Sequence, residues 1–151
     1  SSRLLRSVPA LREMLIECMK YRLLQFMSDA GYALEAESGA HMVFSAEKRK
    51  ADVYAVASIR SMKIEEYRVE NGADCIILVP SSESLEPFVQ FFREKGEAAE
   101  EKDLQIWIMN LEKGTIDPFI GYTTDLDIYN QFDNPRLAEM VRNNWSRGGD
   151  L

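Results

Sequence analysis

The stretch Asn71-Gly-Ala-Asp-Cys-Ile-Ile-Leu-Val-Pro80 decides the architecture. Residues 75–79 within it are apolar at every position, so a strand built from them must be covered on both faces. Asn71-Gly72 opens the run with a turn signal and Pro80 closes it. A strand buried on both faces belongs inside a sheet. If its neighbour is parallel, a crossover connection has to precede it.

Upstream, residues 59–71 supply that connection. The spacing of Met62, Ile64, Tyr67 and Val69 fits neither the helical nor the strand period cleanly, and the need for a crossover favours a helix. Residues 51–57 are apolar on both faces apart from Asp52, as expected of a strand inside the sheet. Before them, Met42, Phe44 and Ala46 point one way along a strand while His41, Val43 and Ser45 point the other. Residues 32–37 alternate apolar and acidic, which predicts a strand with one buried face. Ser38-Gly39 and the charged tip at residues 47–50 join the three strands into an antiparallel meander. Further upstream, Leu11, Leu15, Met19, Leu23 and Met27 recur every fourth residue. Met14, Cys18 and Phe26 widen the stripe, so a long amphipathic helix is expected, starting at Ser7-Val8-Pro9 and stopping at Gly31.

Downstream, the hydroxyls of residues 81–84 precede a helix with Leu85, Phe88, Val89 and Phe92 on one face and Pro87 in its first turn. A charged loop at 97–103 leads into a strand at 104–111 that contains Trp107. Residues 112–115 form a hairpin turn, and Pro118 confines the next strand to a sheet edge. Asn134-Pro135 starts a last helix with Leu137, Met140, Val141 and Trp145, followed by a frayed tail at 146–151.

A chain of 151 residues fits one domain spanning 1–151, large enough to bury a core without staples. No apolar run reaches the length of a membrane span. Cys18 and Cys75 lie far apart and read as small core hydrophobes, which suits a reducing, cytoplasmic setting. The net charge of −7 weighs against a grip on phosphates, although it does not forbid a local basic patch. The one basic cluster, Lys48, Arg49 and Lys50, is the candidate nucleic-acid contact and reads more simply as a solvated turn.

The order of helix, three-strand meander, crossover helix, parallel strand, helix and strand, with the texture of residues 66–80, resembles the restriction-endonuclease-like (PD-(D/E)xK) fold. It is the layout of archaeal Holliday-junction resolvases and Mrr-like nucleases. The resemblance implies a three-layer α/β core over residues 8–111, here with a C-terminal helix. It also implies a metal site built from an Asp on the second strand and an acid-x-Lys on the third, which hold Mg or Mn for hydrolysis. In the direct registration His41 stands where that Asp belongs, and Val56-Ala57-Ser58 stands where acid-x-Lys belongs. The active site is then degenerate, no cofactor is expected, and the domain works by binding a macromolecule or its own copy. A rival registration takes Asp52 as the Asp, Glu65 and Glu66 as the acids and Lys63 as the lysine, with Glu35 or Glu37 completing a metal site. It requires residues 62–69 to be a strand. A third reading is a structural or small-ligand-binding α/β domain.

Individual residues carry modest signals. His41 is the only histidine and lacks a nucleophile motif, so a structural role is expected of it. Asp52 is the most unusual polar placement, and Lys50 or Arg49 could partner it. Glu35 and Glu37 project from one strand face with a spacing that lets two carboxylates meet a cation, or else simply face solvent. Asp125, Asp127 and Asp133 lie in an acidic aromatic loop without the central glycine and terminal glutamate of a calcium loop. Trp107 reads as core or as part of a homodimer interface, with the last helix as the alternative interface. A protein partner is the other expected contact.

Overall fold

The computed structural model describes residues 2–146, with side chains described from residue 8 onward, so all but the first residue of the tail expected at 146–151 lies outside the described residues. One mixed sheet forms from β1 (Ala33–Ser38), β2 (His41–Ala46), β3 (Arg49–Ala55), β4 (Ala73–Pro80), β5 (Leu104–Asn110) and β6 (Thr115–Ile120), arranged spatially in that same order. The β1–β2–β3 meander is antiparallel, β3–β4 and β4–β5 are parallel, and β6 returns antiparallel on the edge. The apolar run lies in β4 at mid-sheet, with Ile76, Ile77, Leu78 and Val79 all fully buried. Pro118 sits in the edge strand β6, where a missing donor costs least.

Helix α1 (Ser2–Asp29) covers one sheet face. Its Met19, Leu23, Phe26 and Met27 pack with Met42, Phe44, Ala51, Val53, Ile76, Leu78 and Trp107. The other face is covered by α2 (Glu86–Glu101) and α4 (Leu137–Asn144). There Phe88, Phe91, Ala99 and Val141 meet Cys75, Ile77, Val79, Leu104, Ile106 and Phe119. A one-turn helix, α3 (Leu126–Tyr129), closes the α1 side and buries Ile128. The result is a three-layer α/β domain with a C-terminal helix, in the element order that the resemblance implies except at the β3–β4 crossover.

Several local expectations are corrected. The β3–β4 crossover is present, but it is not an α-helix: it makes two 3-10 turns, Ile59–Ser61 and Ile64–Glu66. Ser58 accepts the Arg60 N–H at 3.1 Å and its carbonyl accepts the Ser61 hydroxyl at 2.8 Å, so local bonds close one turn where a helix would propagate. Ile59 and Met62, three apart, are the residues that this tighter geometry buries. Helix α1 extends upstream through Pro9, so Ser7 is not its cap; proline already holds the helical φ and forfeits one backbone bond.

Cys18 is exposed, as are Leu11 and Met14, because helix phase turns them away from the sheet. Strand β1 has no buried face; all six of its residues are exposed at the sheet edge. Residues 97–101, expected as loop, continue α2 and bring Ala99 into the core. Trp107 is 1% exposed between Phe26 and Phe132, ring centroids 5.4 and 5.2 Å away, so it belongs to the core and not to a surface for a partner.

Candidate functional site

The β2–β3 hairpin closes through Glu47-Lys48 and pairs Ala46 with Arg49, which carries His41 opposite Tyr54 and Val43 opposite Asp52. Since Phe44, Ala51 and Val53 face α1, His41, Asp52 and Tyr54 share the other face. His41 Nε2 lies 2.8 Å from Asp52 Oδ1, with the two side chains 32% and 20% exposed. The imidazole stacks on Tyr54, centroids 4.1 Å apart and 6° from parallel, and Tyr67 from the crossover meets Tyr54 edge-on at 5.0 Å.

Burial raises the Tyr54 and Tyr67 hydroxyls above the ordinary phenol range, with Asp52 adding to the first and Glu66 to the second. Cys75 is the β4 residue paired with Asp52. Burial first, and the Asp52 charge second, push its thiol up to about 11. At neutral pH it is a protonated thiol, not a nucleophile. Lys102 Nζ donates to the Ile64 carbonyl at 2.7 Å and pins the crossover beside this face.

A His–Asp hydrogen bond can orient an imidazole. Base catalysis on a nucleophile also needs a hydroxyl or thiol bonded to the ring. Among the described residues His41 bonds to Asp52 alone. No three His, Cys, Asp or Glu side chains converge there as metal ligands.

The remaining candidates are scattered. A bulge in β1 between Leu34 and Ala36 sends Glu35 and Glu37 to different partners. Glu37 pairs with the buried Lys20 of α1, whose ammonium also donates to the Gly39 carbonyl at 2.6 Å. Glu35 reaches Lys50 at 3.7 Å, across the face away from α1. Lys63, Glu65 and Glu66 are exposed at the second 3-10 turn, and residues 62–69, which the rival registration needs as a strand, form none. In the basic tip, Arg49 donates to Thr124 Oγ1 at 3.1 Å and lies 3.9 Å from Asp125, while Lys48 is exposed.

The pairing of Tyr32 with Asp125 escapes the sequence reading. The Tyr32 hydroxyl donates to Asp125, which is 9% exposed and also accepts the Asp127 N–H at 2.9 Å as the cap of α3. Burial and the Asp125 hydrogen bond raise the Tyr32 hydroxyl strongly. Burial also raises the nearby Asp74 carboxyl, against the pull of Arg49. A polar hollow of about 360 Å³ beside this network is lined by Lys48, Arg49, Asp125 and Asp127 among others. The available signal is the spacing Asp125-Leu-Asp127 ahead of Ile128, an N-cap pattern in a segment read as surface loop.

Residues 17–134 match the family described as domain of unknown function (DUF6834), C-terminal domain, and the chain belongs to that family. No curated protein matches the chain. Among solved structures, an fdxN element excision controlling factor protein from Anabaena variabilis is similar at 13% identity and a TM-score of 0.42, covering 66% of this chain and 95% of its own. An XisH family protein from Nostoc punctiforme is similar at 14% identity and a TM-score of 0.39, covering 70% of this chain and 94% of its own. At these values neither likeness carries an argument, and the fold stands on the sheet order itself.

Proposed function

We propose that this DUF6834-family chain is a degenerate relative of the restriction-endonuclease-like nucleases, of the archaeal Holliday-junction-resolvase and Mrr-like layout, and that it acts by binding a protein partner and not by hydrolysis. One observation carries this reading: Asp52, the carboxylate best placed for metal chemistry, is hydrogen-bonded to His41, whose ring is stacked on Tyr54. The layout's mechanism calls for two carboxylates and a lysine around one ion. Here Glu35, Glu37 and Asp52 each have a separate partner, and Lys63 stands on an exposed turn.

A protein partner is favoured over nucleic acid because two of the three basic tip residues, Arg49 and Lys50, already face carboxylates of this chain. The overall charge is −7, and such a surface offers few cations to displace the counterions condensed on DNA. A reducing, cytoplasmic setting fits the exposed Cys18 thiol. Among the described residues no helix is long and apolar enough to cross a membrane.

The test is incubation with supercoiled plasmid and four-way-junction DNA in Mg²⁺ and in Mn²⁺, with Asp52→Asn run in parallel. No cleavage is expected from either protein. Cleavage by the parent chain that Asp52→Asn abolishes overturns the proposal.

A further inference from the structure

Helix α1 carries two apolar stripes, and the sheet covers only one. Met19, Leu23, Phe26 and Met27 are buried, whereas Leu11 is 59% exposed, Met14 62% and Tyr21 80%, with Cys18 exposed between them. Residues 11, 14, 18 and 21 are spaced three, four and three, the heptad spacing of a seam that receives another helix. Globular helices normally turn polar residues to solvent at such positions. Isolated exposed apolar residues need no explanation, but a stripe in heptad register does.

We propose that a second copy of this chain covers the stripe, α1 packing parallel to α1 about a two-fold axis. Charge selects the occupant and its direction. Glu17 and Arg22 flank the seam on its two sides, five residues apart. In a parallel pair the flanking residue before one seam position faces the partner residue five further on, so Glu17 meets Arg22 of the other copy twice. An antiparallel pair would set Glu17 against Glu17. The Glu17 side chain is 69% exposed and free to reach, its contact to Lys20 being a loose 3.5 Å. Arg22 is anchored through Nε to the Gly114 carbonyl at 2.7 Å, a bond that leaves its two Nη atoms for the partner's carboxylate. Met14 then packs against Met14 and Tyr21 against Tyr21, with Cys18 opposite its own copy.

Sedimentation equilibrium on the full chain tests this. A dimer of the 17.3 kDa chain is expected. Met14→Glu and Tyr21→Glu should each weaken dimerisation by about tenfold or more, while circular dichroism of the fold stays unchanged because both residues are exposed. Glu17→Arg should weaken it, and Glu17→Arg with Arg22→Glu should restore it. A short bismaleimide should link two chains through Cys18 and fail with Cys18→Ser, Cys75 being buried. A monomer at every concentration overturns the proposal, and so does a dimer that tolerates Met14→Glu. The dimer and the inert His41 face are independent: sedimentation addresses one and DNA cleavage the other.

Discussion

Replacing His41 with Phe keeps an aromatic ring against Tyr54 and deletes the bond to Asp52, while Asp52→Asn keeps the shape and deletes the charge. The two side chains are 32% and 20% exposed, which places the pair between two measured regimes. Exposed polar pairs contribute about 0.2–1 kcal/mol, and a hydrogen bond to a charged group shielded from water about 1.5–3 kcal/mol. A coupling of about 1 kcal/mol is therefore expected from a double-mutant cycle read by urea unfolding. In thermal unfolding each single variant should melt about 2–4 °C below the parent for each kcal/mol lost. Coupling within about 0.3 kcal/mol of zero would refute the view that the pair is a structural clip.

Other expectations follow from the same geometry. Lys20→Met removes a buried ammonium that bridges Glu37 and the Gly39 carbonyl, and should cost about 1–3 kcal/mol in urea unfolding. Gly31 and Gly121 share a positive φ, +86° and +81°, but a Cβ at Gly31 meets open space, whereas at Gly121 it would lie 2.7 Å from the Leu104 carbonyl oxygen. Gly31→Ala should therefore cost about 1–2 kcal/mol, the left-handed penalty alone, and Gly121→Ala distinctly more. Because the folded chain holds the Cys75 proton to about 11 against an ordinary 9.0, that contribution is intact below pH 9 and lost as pH rises toward 11. Cys75→Val should flatten this part of the pH profile of unfolding, and no change would count against the burial account.

The sequence makes the central strand legible because burial on both faces leaves a run of apolar residues that needs no partner to be recognised. The C-terminal half of α1 is legible for a similar reason: Met19, Leu23 and Met27 mark a face by period alone. Residues 59–66 resist reading because Ser58 hydrogen-bonds locally, a competition between side chain and backbone that periodicity does not record. The pairing of His41 with Asp52 depends on hairpin register. It becomes readable only once Glu47-Lys48 is taken as a two-residue turn, which places His41 opposite Tyr54. Glu35 and Glu37 mislead for the opposite reason, since a single bulge in β1 cancels the alternation that would have set them side by side.

The most direct measurement is calorimetric titration of Mn²⁺ into the parent chain and into Asp52→Asn. The two proteins should give the same heats, with no stoichiometric site that depends on Asp52. A one-to-one Mn²⁺ site present in the parent and lost in Asp52→Asn would contradict the account and return the carboxylate to metal chemistry.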